Sequence, residues 1–166
     1  MTRIVLLGCA GAGKTTLARR LGQATDAPVI CLDAIWRPGW GPADVPRFRG
    51  LVIGAHAGDA WISDGNFADA TFDLRLPRAD LVVWLERPRL ICAWRAATRV
   101  LRPGEAHERK DLPKVLRFIW NFDRINRPRI EAARTRWGPD VPVRRLRDDA
   151  EIGAFLAAPM RQGGRA

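Results

Sequence analysis

The chain is poor in the side chains that most often build metal centres or disulfide frameworks. Its three cysteines, Cys9, Cys31 and Cys92, are odd in number and lack metal-type spacing, so reduced thiols and a cytoplasmic setting are expected. The two histidines, His56 and His107, have no partner at metal or triad spacing and read as surface residues. No apolar run approaches a membrane span, so no membrane partner is expected. Thr2-Arg3 lead straight into an apolar segment, so no signal peptide is expected either. Repeats and low-complexity tracts are missing, as are helix-turn-helix, zinc-finger and RNA-binding signatures. Lysine is scarce too, with only Lys14, Lys110 and Lys114 among 28 basic residues.

One of those three lysines sits in the most informative octet of the chain. Gly8-Cys9-Ala10-Gly11-Ala12-Gly13-Lys14-Thr15 fits the phosphate-binding pattern G-x-x-x-x-G-K-[ST]. With three lysines and eight Ser/Thr, chance produces this pattern in on the order of one such chain in a thousand. A triphosphate needs a nest of backbone N–H donors, which glycines allow by turning tightly. Lys14 then reaches the β- and γ-phosphates, and the Thr15 hydroxyl takes a place on Mg²⁺. The expected nucleotide-binding set is therefore Gly8, Cys9, Ala10, Gly11, Ala12, Gly13, Lys14, Thr15 and Thr16, with ATP and Mg²⁺ as cofactors. Cys9 reads either as a thiol with a pKa lowered by the loop amides or as a small filler. Ile4-Val5-Leu6-Leu7 before the octet reads as a buried strand. Leu17, Ala18 and Leu21 after it read as one helix face, with Gly22 as its stop.

Four further strands follow: Pro28–Leu32 closed by Asp33, Ala60–Ser63 before Asp64-Gly65-Asn66, Leu81–Leu85, and Pro142–Leu146. Helices are expected over 43–58, from about Leu90 to Leu101, from near Leu112 onward, and over Asp149–Ala157. Pro128 should break or kink the third of these. Alternating apolar strands and helices predict one domain over residues 1–166, a three-layer α/β/α fold around a five-stranded parallel sheet. Ligands in such sheets bind beyond the carboxyl ends of the strands. Asp33, Asp64 and Glu86 each stand at such an end, which favours a role in the site for the two aspartates. Trp36 and Trp40, in a Pro/Gly-rich loop, read either as a stacking platform over the acceptor or as loop anchors. Trp84 and Trp94 read as packing residues.

The net charge of +10 is concentrated. Residues 87–147 hold 17 basic and 6 acidic side chains, nearly all the cations being arginine. Such a surplus suits a phosphorylated small molecule, nucleic acid, or simply a solvated surface, the last being the reading for Arg144, Arg145, Arg147, Arg161 and Arg165.

Several motifs beyond the octet resemble the small P-loop kinases related to adenylate kinase, and within them the bacterial DNA topology modulation proteins. They are Leu32-Asp33 with Trp36 and Pro38-Gly39-Trp40, then Trp61-Ile62 with Asp64-Gly65-Asn66-Phe67. Arg75-Leu76, Ala79-Asp80, Arg87-Pro88-Arg89, Trp94-Arg95, Trp120-Asn121-Phe122 and Arg127-Pro128 complete the set over roughly residues 3–130. The resemblance implies a nucleoside-monophosphate-kinase-like P-loop fold, an acceptor-binding insertion over about 34–59 and a short lid over about 100–113. It implies that Asp64, followed by Gly65, orients water on Mg²⁺, and that Asp33 contacts the acceptor hydroxyl. Arg95 and Arg99 resemble the arginine pair entering the lid, and Arg127 an arginine returning onto the transferring phosphate. Asn66-Phe67 replaces the Phe-Pro-Arg of true adenylate kinases, which argues against AMP as acceptor and leaves Arg75 as a substitute phosphate ligand. The expected function is transfer of the ATP γ-phosphoryl group to a small-molecule acceptor by a monomer or homodimer. The alternative is a nucleic-acid-binding P-loop NTPase using the basic 87–147 face.

Overall fold

In the computed structural model, the described residues are 2–100 and 112–158. Five strands, β1 (Arg3–Gly8), β2 (Val29–Cys31), β3 (Trp61–Asp64), β4 (Leu81–Leu85) and β5 (Val143–Leu146), form one sheet in the order β2-β3-β1-β4-β5. Every pairing is parallel. Parallel sheets are covered on both faces, which is why β1 is a continuous apolar run. Val5, Leu6 and Leu7 are all fully buried. The register sets Leu6 beside Asp64 and Gly8 beside Leu85, so the carboxyl ends of β1, β3 and β4 meet at one edge.

Helix α1 (Lys14–Thr25) springs from the glycine loop and buries Leu17, Ala18 and Leu21, as the periodicity predicts. Gly22 is not its stop. The helix continues to Thr25 and closes at Asp26, whose φ is 55°. A Cβ at Gly22 would lie 2.7 Å from Val29 Cγ2, so this glycine lets α1 pack directly on β2.

Strand β2 ends one residue early, because α2 (Leu32–Ile35) takes Asp33 into its first turn. The helix expected over 43–58 divides into a 3-10 turn (Pro42–Asp44) and α3 (Val45–Ala55). Helix α4 (Ala68–Arg75) has no counterpart in the sequence reading, because its buried face is Thr71, Phe72 and a fully buried Arg75. After β4 come α5 (Arg89–Val100) and α6 (Leu112–Asn121). A π-helical turn (Phe122–Asn126) joins α6 to α7 (Arg127–Trp137). The irregularity expected at Pro128 thus lies just ahead of it, with Pro128 in the first turn of α7, where a missing N–H is tolerated. Helix α8 (Asp149–Ala157) closes the chain, capped by the Asp148 carboxylate on the Glu151 N–H.

Two assignments change. His56 is buried rather than exposed, and Trp94 is exposed rather than packed. His107 and most of the expected lid over 100–113 lie outside the described residues. Among the described residues, no helix is long and apolar enough to cross a membrane.

Candidate active site

The meeting of strand ends opens into a cleft of about 820 Å³, floored by the glycine loop. Gly11 and Gly13 take φ values of 76° and 100°, the left-handed region that other residues avoid. A Cβ on Gly11 would sit 2.3 Å from the Cys92 carbonyl oxygen, so the loop also needs glycine to lie against α5. The first turn of α1 carries no acidic residue, and its open N–H groups face the cleft as an anion site. Lys14 Nζ donates to the Gly8 and Cys9 carbonyls, both at 3.0 Å, and is thereby held over the loop.

Thr15 Oγ1 donates to Asp64 Oδ2 at 2.6 Å. Two hard oxygen ligands therefore stand together at the mouth of the cradle, which fits Mg²⁺. Among the described residues no group of three or more His, Cys, Asp or Glu side chains is placed to hold a metal.

Asp33 lines the cleft across from the loop. Burial raises its carboxyl above the ordinary value; Lys14 pulls it back, Asp64 raises it further and Arg99 pulls it back. Arg95 and Arg99, one helical turn apart on α5, line the same cleft. Arg95 lies 3.5 Å from Asp149 at the start of α8, and Arg87 also pairs with that carboxylate. These cations, Arg87 first, hold Asp149 below the usual carboxylate range.

Three expected site residues have other work. Arg75 is fully buried and does not line the cleft. Its guanidinium donates to Thr71 Oγ1 at 3.0 Å, Ser63 Oγ at 2.9 Å, and the Gly65 and Asn66 carbonyls at 3.1 and 2.5 Å. Burial lowers its pKa to about 9, so it remains charged at neutral pH. Asn66 lines the cleft, but its amide is committed: Nδ2 donates to Gly8 O at 3.0 Å and Oδ1 accepts the Gly8 N–H at 3.1 Å. This double bond braces the glycine loop against the end of β3. Gly65 belongs to the same brace, since its carbonyl accepts from Arg75.

Arg127 does not face the cleft. It pairs with Glu86 and lies against the Trp84 ring, 5.9 Å from its centroid. Arg129, two residues further on, lines the cleft instead. Trp36 and Trp40 anchor their loop: Trp36 packs edge-on against Trp40 and Phe48, with centroids 5.7 and 5.2 Å apart. Neither ring lines the cleft. Phe67 does, in a left-handed conformation with φ 37° that is costly for a large side chain.

Arg129 and Asp149 are cleft residues that the sequence did not single out, and Arg87, named only within the Arg87-Pro88-Arg89 motif, was given no site role. Arg87, directly after a strand-end carboxylate, carried the only usable signal. Cys9 is a buried filler whose thiol is pushed up by a hydrogen bond with Cys92 and by burial, opposite to activation by the loop amides. All three cysteines are free thiols.

No protein-family model matches the chain, and no curated protein matches it. The resemblance to DNA topology modulation proteins therefore rests on sequence motifs alone. Solved structures do match. A shikimate kinase from Acinetobacter baumannii, solved with shikimate, is 19% identical, with a TM-score of 0.57 over 93% of this chain and 88% of that one. A gluconokinase from Sinorhizobium meliloti is 16% identical, with a TM-score of 0.55 over 94% and 91%. A sugar kinase from Janibacter is 17% identical, with a TM-score of 0.55 over 94% and 93%. At these identities the likeness is one of fold: the chain has the three-layer α/β/α architecture of the P-loop small-molecule kinases.

Proposed function

We propose that the protein is an ATP-dependent phosphotransferase acting on a hydroxyl group of a small molecule. One observation carries the reading: Thr15 and Asp64 form a two-oxygen ligand pair at the mouth of a glycine cradle, with Asp33 across the same cleft. A simple anion-binding loop needs neither aspartate.

Phosphoryl transfer asks a protein chiefly for positioning and charge neutralisation. The loop amides and Lys14 hold the donor phosphates. When bound at Thr15 and Asp64, Mg²⁺ neutralises charge developing on the phosphate oxygens. Asp33 orients the acceptor hydroxyl and accepts its proton, a task helped by burial that raises its carboxyl above the ordinary value. Arg95 and Arg99 approach from α5 and Arg129 from α7, all toward the transferring group. Asn66 and Arg75 act as positioning residues, the first on Gly8 and the second on the loop carrying Asn66. The absence of a free Arg75 supports an acceptor other than AMP. The test is an ADP-release screen of the purified chain against nucleotides, nucleosides, sugars and hydroxy acids. One acceptor should raise turnover well above basal hydrolysis; a flat response across all classes would refute the reading.

A further inference from the structure

Arginines also gather outside the cleft. A recess of about 270 Å³ opens between the carboxyl ends of β4 and β5 and the π-helical turn, with Cys9 of the glycine loop in its wall. At its centre is Glu86, whose side chain is only 12% exposed. Arg127 and Arg145 both donate to its Oε1, and Arg147 Nε lies 3.8 Å from Oε2. One carboxylate neutralises one of these three cations. Asp123 stands 3.7 Å from Arg127, and Glu131 takes part of the charge of Arg145 but is shared with Arg134.

Arg127 and Arg147 line the recess, Arg145 does not, and two more arginines complete the lining. Arg89 is stacked over Trp120, 4.4 Å from the centroid, with no carboxylate partner among the described residues. Arg87 is almost wholly buried, its side chain 4% exposed, and its Nε–H has no hydrogen-bond partner. A buried donor left unpaired is destabilising, and converging guanidinium groups add repulsion. The Trp84 ring holds Arg127 and Arg145 from behind, at 5.9 and 5.2 Å, so the cluster is fixed before any ligand arrives. Such a preset array of forked donors matches the oxygens of a phosphate group.

We infer that this recess is a second anion-binding site, separate from the cleft, that takes a small phosphate-bearing molecule. Its size admits a phosphate or pyrophosphate group rather than a run of nucleic-acid backbone. Arg87 lines both cavities, so it joins the recess to the Asp149–Arg95 pair in the cleft. The inference is independent of the kinase reading, because it uses neither Lys14 nor Asp33.

The test is calorimetric titration of the full chain with pyrophosphate, for wild type, Lys14→Ala and the double variant R89Q/R147Q. Both substituted arginines are solvent-exposed, and the Arg147 side chain is 69% accessible, so the fold should persist; an unchanged Tm verifies this. Wild type should bind two pyrophosphates. Lys14→Ala should retain one, and R89Q/R147Q should bind that one at least about tenfold more weakly, the loss expected for one or more charge-assisted hydrogen bonds. The companion R89K/R147K should recover part of the affinity. Loss of all binding in Lys14→Ala, or wild-type binding by R89Q/R147Q, would overturn the inference. So would displacement of pyrophosphate by a single-stranded oligonucleotide that binds more tightly and with a steep salt dependence, since the occupant would then be nucleic acid.

Discussion

Arg75→Met separates a positioning role from a substrate-binding one. The substitution keeps the length and apolar stem of a fully buried side chain but removes donors to Thr71, Ser63, Gly65 and Asn66. The two hydroxyls keep acceptors of their own, Thr71 on the Phe67 carbonyl and Ser63 on His56. The Gly65 and Asn66 carbonyls lose a charged donor. Each unpaired buried group costs about 1–3 kcal/mol, and removing one member of a buried charged network typically costs about 3–5 kcal/mol. For a chain of this size that is a fall in Tm of about 6–20 °C. The nucleotide site should weaken as well, because Asn66 holds Gly8 through its amide. Arg75→Lys should be nearly as damaging, since an ammonium group lacks the planar fork that reaches both carbonyls. Scanning calorimetry reads the first effect and binding of a non-hydrolysable ATP analogue the second. A Tm within about 2 °C of wild type, combined with a raised acceptor KM, would refute the reasoning and return Arg75 to the substrate site.

The same network gives a pH prediction. His56 donates from Nδ1 to the Val52 carbonyl at 2.7 Å and accepts the Ser63 hydroxyl on Nε2 at 2.9 Å, which fixes it neutral. Burial, with Arg75 and Arg78 nearby, lowers its pKa to about 4. The unfolded chain binds the extra proton first as pH falls, so stability is complete above about pH 6.5 and declines toward pH 4, by about 3 kcal/mol in all. Urea midpoints at pH 7 and pH 4 for wild type and His56→Asn should show this slope only in the wild type; equal slopes would refute it. Lys14→Ala should lower ATP turnover by at least about 10²–10³-fold with an unchanged circular dichroism spectrum, and near-normal turnover would sink the kinase proposal. Asp33→Asn should lose about 10²–10⁴ in acceptor phosphorylation while keeping affinity for an ATP analogue, and loss of that affinity would disprove the role given to Asp33.

The legibility of these features in the sequence follows from the range of the forces behind them. Strand runs such as Ile4–Leu7 and Leu81–Leu85 are local and covered on both faces, so their apolar composition and their boundaries, Gly8 for the first and Asp80 and Glu86 for the second, identify them directly. The glycine cradle is equally local, because its φ values are properties of single residues. Helix α4 was not legible for the opposite reason. Its inward face includes a charged residue that only Ser63, Gly65 and Asn66, contributed by another strand and its loop, make tolerable. The interchange of Arg127 and Arg129 has a third cause. A π-helical turn over Phe122–Asn126 adds a residue to the turn and rotates everything after it relative to a 3.6-residue count. Arg127 then swings to Glu86 behind the cleft and Arg129 into it. Pro128 signalled a disturbance near this point, but its position in the first turn of α7 leaves the direction of rotation to the turn before it. Which of these two arginines faces the cleft is thus decided by a backbone irregularity that packing creates. The same rotation that removes Arg127 from the cleft brings it to Glu86, and so builds the second basic recess.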